Sequence, residues 1–460
     1  MRKRSVPFDS FRSIAQKGKT HVFKKSSLLA IVCLGFLFCA ESCAQDWWQN
    51  AAEQRTRYYK LKTDLPDAQA VEIANHMDIT FESYANLFSG LKLRRIARLD
   101  VYIFATQEDY MQVLRQKFNL DGSGSQGQCI TRGTTISLVG WKGKHSMRRL
   151  KALVQHEGFH QFASNFFPRL PSWCNEGLAE VFERGVLIDG KIVLGEVSLR
   201  DVRRLRDARD KGRFRSMGDI LTVPQSVWNL EVKSGTASEN YLQAWNVCHC
   251  FLFSEDSRYQ SQFLNFLKGI NQGAEWQQSF VLAFGVPDLD SMNEVWLKYI
   301  SRLSPVDYQK TIRHMEFLSM AYLESKEQEA DIRDFEQLKA WIAENKFEFE
   351  SELFGEKVQL SYSDPEVFAV PFAEVSKPKP IFELVDSRGR QPNISKPLAK
   401  NKLLGVRTQN LKPYDFLVSW KRDRKQPSGY RAVFDLVPVA PKKKERKKKE
   451  KEKESKERKK

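Results

Sequence analysis

The chain has 460 residues, 41% of them hydrophobic, with 74 Lys+Arg against 57 Asp+Glu and a formal net charge of +17. This length suits two or three domains, the apolar content exceeds that of a disordered chain, and the single short apolar run excludes a polytopic membrane protein. Spread over a fold, such a charge would point to a polyanionic partner, but here it is concentrated at the two ends.

Residues 1–27 carry eight Lys/Arg against Asp9, and residues 442–460 carry thirteen against five Glu, which leaves +2 on the 414 residues between. The first basic stretch leads into thirteen apolar residues, Leu28 to Ala40, and then Glu41, Ser42, Cys43, Ala44 and Gln45. A basic flank, a short apolar run and small residues before a polar start describe a secretory signal peptide over residues 1–44, with Ser42 and Ala44 suiting cleavage after Ala44. Thirteen residues rise only about 20 Å as a helix, short of the roughly 30 Å hydrocarbon core. An uncleaved amino-terminal anchor is the alternative. The expected location is therefore either secreted or in the periplasm and cell envelope. Cys33, Cys39 and Cys43 fall in the signal, leaving Cys129, Cys174, Cys248 and Cys250 in the exported chain. Disulfides are allowed there, but their pairing is not readable and no CxxC spacing supports a cysteine metal site.

In chain order, alternation predicts a strand at 58–63, a turn at 64–66 and a helix over 68–91. A second strand follows at 99–104, then a helix at 107–118, a Gly/Ser loop at 121–127 and a strand at 134–140. The loop spells GxGxxG from Gly122 to Gly127. It follows a helix and precedes a strand, the reverse of a dinucleotide fingerprint, and reads as a plain loop. Helical spacing resumes at 147–167 and 175–183, and again at 197–211, 240–253, 259–269, 275–284 and 288–303. Residues 45–304 are expected to form one domain and the helical stretch 305–345 a bridge. Short strands at 347–354, 358–362, 381–385, 414–420 and 430–436 predict a small β-sandwich-like domain over 346–440. The Lys/Glu tail, 441–460, lacks the apolar residues needed to offset the entropy of ordering and is expected to be disordered. The class is α+β.

The chemistry is expected in residues 156–180. His156-Glu157-Gly158-Phe159-His160 is an H-E-x-x-H motif inside an amphipathic helical pattern. On a helix, positions i and i+4 lie one above the other, so His156 and His160 can offer imidazole nitrogens to one metal ion. Glu157, about 100° around the helix, falls beside a metal-activated water. A catalytic site of this kind needs a third protein ligand and an open position. Glu176, sixteen residues after His160 on a second helix, can be that ligand. Glu180 shares its face and is expected to hydrogen-bond the far nitrogen of a ligand histidine. With only seven His in the chain, a chance H-E-x-x-H is expected on the order of 0.01 times. For the donor that stabilises a tetrahedral oxyanion, Tyr241 is the candidate and His249 the second, with simple core packing as the alternative reading of both. The strand at 134–140 is placed by chain order beside the cleft, where it could pair with an extended substrate.

HEGFHQF followed by WCNEGLAEVFE resembles the gluzincin metallopeptidases, in which two His and a downstream Glu bind zinc. The Asn-Glu-Gly-Leu-Ala string is similar to the third-ligand helix of the M1 aminopeptidases, and the closer likeness is to a bacterial family known as domain of unknown function 1570. The resemblance covers roughly 56–304. It implies a zincin-like catalytic domain, with a mixed sheet, an active-site helix and a mostly helical second half. It also implies Zn2+ held by His156, His160 and Glu176, with Glu157 as the acid/base. No G-x-M-E-N-type exopeptidase motif accompanies it, so the implied activity is that of an endopeptidase on a peptide or protein substrate. Two other readings stand beside it. One is a catalytically silent, metal-retaining envelope-binding protein. The other is a binder of anionic polymer or membrane surface through the basic tail; nucleic acid is not an expected partner.

Overall fold

A computed structural model of the chain describes residues 51–438, apart from 52, 92, 94, 95, 168, 255–257, 374, 375, 377, 394–401, 426 and 427. The expected signal segment and the basic tail lie outside the described residues. Among the described residues no helix is long and apolar enough to cross a membrane.

Alternation does its work first in the sheet. β1 (Glu53–Arg55) pairs antiparallel with β2 (Tyr59–Thr63), which buries Tyr59 and Leu61 on one face. The crossover helix α1 (Asp67–Leu87) returns the chain to β3 (Leu99–Phe104), parallel to β2. After α2 (Gln107–Val113) and one π-helical turn, β4 (Gly127–Arg132) and β5 (Thr135–Trp141) form a hairpin. β5 inserts parallel beside β3, giving the order β1-β2-β3-β5-β4. The loop expected to run to Gly127 therefore ends in an additional strand. This changes the reading of the 134–140 strand: β5 has a neighbour on each side, so among the described residues the free edge nearest to it belongs to β4.

The chain then turns helical. α3 (Met147–Phe166) crosses the sheet and α4 (Ser172–Glu183) follows it. A small hairpin, β6 (Val186–Ile188) and β7 (Lys191–Val193), precedes α5 (Leu199–Asp210), α6 (Met217–Thr222) and α7 (Gln225–Lys233). Next come α8 (Ser238–Phe253), α9 (Gln260–Asn271), α10 (Trp276–Phe284) and α11 (Asn293–Arg302). One apolar cluster runs from Tyr59 and Leu61 through the helices to Trp173, Trp245 and Trp296, all buried. α6 and α7 went unanticipated because they are short and Pro224 divides them, so neither develops a helical period in sequence.

A second cluster gathers the rest. α12 (Tyr308–Glu327) and α13 (Phe335–Glu344) fill the stretch expected as a bridge. They share their core with a hairpin, β8 (Glu348–Ser351) and β9 (Val358–Ser361), and with a four-stranded antiparallel sheet. That sheet is β10 (Ile381–Val385), β11 (Gly405–Gln409), β12 (Tyr414–Arg422) and β13 (Tyr430–Pro438). α12 packs against β8, β11 and β12, so a helix serves both sets of strands. Val186, Ile188 and Val193 of the early hairpin also enter this cluster, and Val197 bridges to Val306.

Candidate metal centre

The site begins with how α3 is seated. Ser146 caps its start, accepting the Arg149 N–H at 3.3 Å. Leu153 lies on a cross-strand glycine pair, Gly127 opposite Gly140. A β-carbon at either would stand 2.9 and 3.2 Å from Leu153 carbons, so the helix sits closer to the sheet than side chains would allow. Two glutamines flanking the motif fix its roll. Gln161 donates to the carbonyls of Asp100 (3.0 Å) and Ile136 (2.8 Å), on β3 and β5. Gln155 donates to Gly185 O at 3.1 Å and faces His76 Nε2 at 2.9 Å, tying α3 to α1 and to the end of α4. Gly158 within the motif has its own reason: the Tyr84 hydroxyl, which donates to Gln155 O at 2.5 Å, stands 3.0 Å from where a β-carbon would be.

α4 is seated by the same device. Gly177 lies against α8, where a β-carbon would meet Ala244 O and would be 2.7 Å from Cys248 Sγ. This close approach fixes the neighbouring Glu176 under the two histidines. Glu176 Oε2 is 3.7 Å from His156 Nε2 and 3.5 Å from His160 Nε2, and all three side chains are nearly enclosed. Those separations are long for hydrogen bonds. Ligands about 2.0–2.1 Å from a tetrahedral divalent ion stand about 3.3–3.4 Å apart, which the two separations from Glu176 approach. The group His156, His160 and Glu176 can hold a metal ion. Among the described residues the cysteines, Cys129, Cys174, Cys248 and Cys250, are all free of disulfides and lie outside this donor set.

The far nitrogen of His156 identifies a residue that sequence reasoning missed. Nδ1 is 3.0 Å from Glu183 Oε2, and Arg149 holds the other oxygen of Glu183 at 2.8 Å. Glu180, expected in this role, is 4.0 Å from the same nitrogen. Its other oxygen is taken by Arg184, whose guanidinium lies 4.5 Å over the Trp245 ring and also reaches Asp201. Glu176, Glu180 and Glu183 recur at i, i+4 and i+7, which puts all three on one face of α4; that spacing is the signal for Glu183.

Burial alone would lower the pKa of both histidines, yet the surrounding carboxylates win and raise them, Glu176 and Glu183 acting on His156 and Glu176 on His160. Burial would raise the carboxyls, but the imidazoles hold Glu176 well below the usual range and bring Glu183 down to about 2. A pocket this negative draws positive charge onto its imidazoles. A divalent cation meets the same field and releases those protons.

Glu157 is half-buried next to the cluster, and its charge acts on His156, His160 and Tyr241, and across on β4 on the Cys129 thiol. Tyr241, at the start of α8, has its ring 6.5 Å from that of His156 and edge-on to Trp228 at 5.4 Å. Burial first, and then the Glu176 carboxylate, raise its hydroxyl above the ordinary range, so it stays protonated as a donor. His249 is elsewhere. Its Nδ1 is bound to the Tyr299 hydroxyl at 2.6 Å and its Nε2 faces Gly195 O at 3.4 Å, two helical turns along α8 from Tyr241. It is therefore not a donor to this site.

The family model described as "Protein of unknown function (DUF1570)" matches residues 151–271, a span that contains His156, Glu157, His160, Glu176, Glu183 and Tyr241. No curated protein matches the chain.

Proposed function

We propose that the chain is an exported zinc-dependent peptidase of the gluzincin type, acting as an endopeptidase. The observation that carries this reading is the convergence of His156 Nε2, His160 Nε2 and Glu176 Oε2, with Glu157 beside them on the next helical position. Imidazole and carboxylate are the donors that suit zinc, and two His with one Glu leave a position for substrate. Zinc bound there supplies Lewis acidity, polarising the scissile carbonyl and bringing the pKa of water to about 7.

The protein's own groups do the rest. Glu157 removes the proton from the attacking water and returns it to the amine that leaves. Tyr241 donates to the oxyanion of the tetrahedral intermediate. Glu183 fixes the tautomer of His156 by accepting from Nδ1, which keeps Nε2 free as a lone-pair donor. An extended peptide would add to the free edge of β4, its main chain held by strand hydrogen bonds while the scissile bond faces Glu157. The basic tail is a separate, non-catalytic means of holding to anionic envelope surface.

The test is metal analysis of the purified protein together with cleavage of a peptide library by wild type and Glu157→Gln. Stoichiometric zinc in both, with turnover lost by more than 10²-fold only in the variant, is the expected result. Zinc without turnover in wild type replaces the enzyme with a metal-retaining binding protein, and absence of metal removes the reading altogether.

A further inference from the structure

A second cavity, of about 680 Å³, opens between the helical half and the carboxy-terminal sheet. Its walls are the end of α8, the outer face of α11, the strand connection through Leu303 and Val306, and the loop from Asn410 to Pro413. That volume lies within the roughly 300–1,000 Å³ of small-molecule sites.

The lining is divided by depth. The floor is buried and uncharged: Cys250, Leu303, Val306 and Leu411 are apolar, and His249 is enclosed with its pKa lowered by burial to about 3. The hydrogen bond from the Tyr299 hydroxyl to His249 Nδ1 locks both rings in place. The rim is cationic. Arg258, Lys298, Arg302 and Lys412 are exposed around it, and Arg206 is held in the wall by the carbonyls of Leu303 (2.8 Å) and Ser301 (3.4 Å). Among the described residues none of the lining side chains is acidic.

We propose that this cavity binds an amphiphilic anion: an apolar body of modest size seated on the neutral floor, with a phosphate, sulfonate or carboxylate head among the rim guanidinium and ammonium groups. Guanidinium forks match such heads with paired hydrogen bonds, and an uncharged, largely apolar floor favours an apolar body over a hydrated inorganic ion. The net charge of the tail makes it a repelled rather than an attracted occupant. The cavity is distinct from the metal centre. His249 lies eight residues beyond Tyr241 on α8, about 12 Å along the helix.

The experiment uses the full chain and three probes, 1-naphthyl phosphate, inorganic phosphate and 1-naphthol, with binding followed by calorimetry. The expected result is saturable binding of naphthyl phosphate at least tenfold tighter than either half alone. The exposed double substitution Lys298→Glu and Arg302→Glu weakens it at least tenfold, whereas Glu176→Gln leaves it unchanged. No saturable binding, equal binding of inorganic phosphate, or indifference to the double substitution overturns the proposal, and loss of binding in Glu176→Gln reassigns the head to the metal centre. Phosphatidylglycerol vesicles identify the source of the head. Competition with naphthyl phosphate makes the natural ligand a lipid, and no competition makes it a soluble metabolite.

Discussion

Nδ1 of His156 lies 3.0 Å from Glu183, and not from Glu180, the carboxylate one turn nearer to Glu176. The distinction has a measurable consequence. Replacing a carboxylate that orients a metal-binding histidine costs about 10–100-fold in affinity. Glu183→Ala, which leaves a buried imidazole nitrogen unpaired, is expected at the upper end and Glu183→Gln at the lower. Glu180→Gln should change affinity less than about threefold, because its charge is committed to Arg184. Competition against a chelating dye measures all three, and a larger loss in Glu180→Gln than in Glu183→Ala would transfer the role.

The second prediction concerns Gly177. Its hydrogen lies where a methyl group would strike the Ala244 carbonyl and Cys248 Sγ. Gly177→Ala forces α4 away from α8 and is expected to destabilise by about 1–3 kcal/mol, the range of overpacking in a close-packed core. Adding Cys248→Ala removes one of the two contacts and should restore part of the loss, leaving the carbonyl contact in place. Thermal unfolding of wild type and the two variants decides this. Equal melting temperatures in wild type and Gly177→Ala would show that the helices yield freely.

The residues around the metal centre also mark what a sequence can and cannot disclose. His156, Glu157 and His160 were legible because their geometry is local: one helical turn fixes it, whatever the rest of the fold does. Glu176 needed a second helix but still came with a readable spacing. Glu183 was missed in favour of Glu180 because both lie on one face of α4, and the choice between them is made by Arg184 and Arg149. Arg184 stands at i+4 from Glu180 and was readable as its partner, but Arg149 comes from α3, on no period that α4 sets. β4 escaped for a related reason. Gly127, Gln128 and Thr131 carry no apolar alternation, since an edge strand under a helix buries little besides Ile130. β11 escaped likewise, beginning at Gly405, whose β-carbon would meet the Val418 carbonyl of the next strand. His249 shows the opposite error, a chemically apt residue on the right helix but too far along it.

The junction between the two cores carries a pH dependence. Glu196 sits beside the Val197–Val306 bridge and accepts the Tyr308 N–H at 3.2 Å. Burial, and then the negative charge of Asp307, push its carboxyl up from 4.5 to about 8. Between those values the folded chain holds a proton that the unfolded chain has released. Its contribution is thus fully present below about pH 4.5 and is lost as pH rises towards 8. Partial solvent access reduces the full effect, and a loss of about 1 kcal/mol between pH 5 and pH 8 is expected. Glu196→Gln should flatten that slope in thermal unfolding measured at the two pH values. An unchanged slope in the variant would assign it to other groups.

The last prediction separates chemistry from packing at Tyr241. Its ring is held edge-on to Trp228, and Phe at this position keeps that contact while removing the hydroxyl alone. If the hydroxyl donates to the oxyanion, Tyr241→Phe lowers kcat by about 10²–10³-fold, as loss of one such donor does elsewhere. KM should move little, because the hydrogen bond strengthens only as charge develops on the oxygen. Metal affinity should be unchanged, since the phenol is not among the three converging donors. A pH profile adds an independent readout: the hydroxyl is kept protonated by burial and by Glu176, so its removal should shift no limb of the profile between pH 5 and 9. A kcat within threefold of wild type would leave Tyr241 as packing between α7 and the site. The oxyanion would then have to be met by a donor from another element, such as a backbone N–H on the edge of β4.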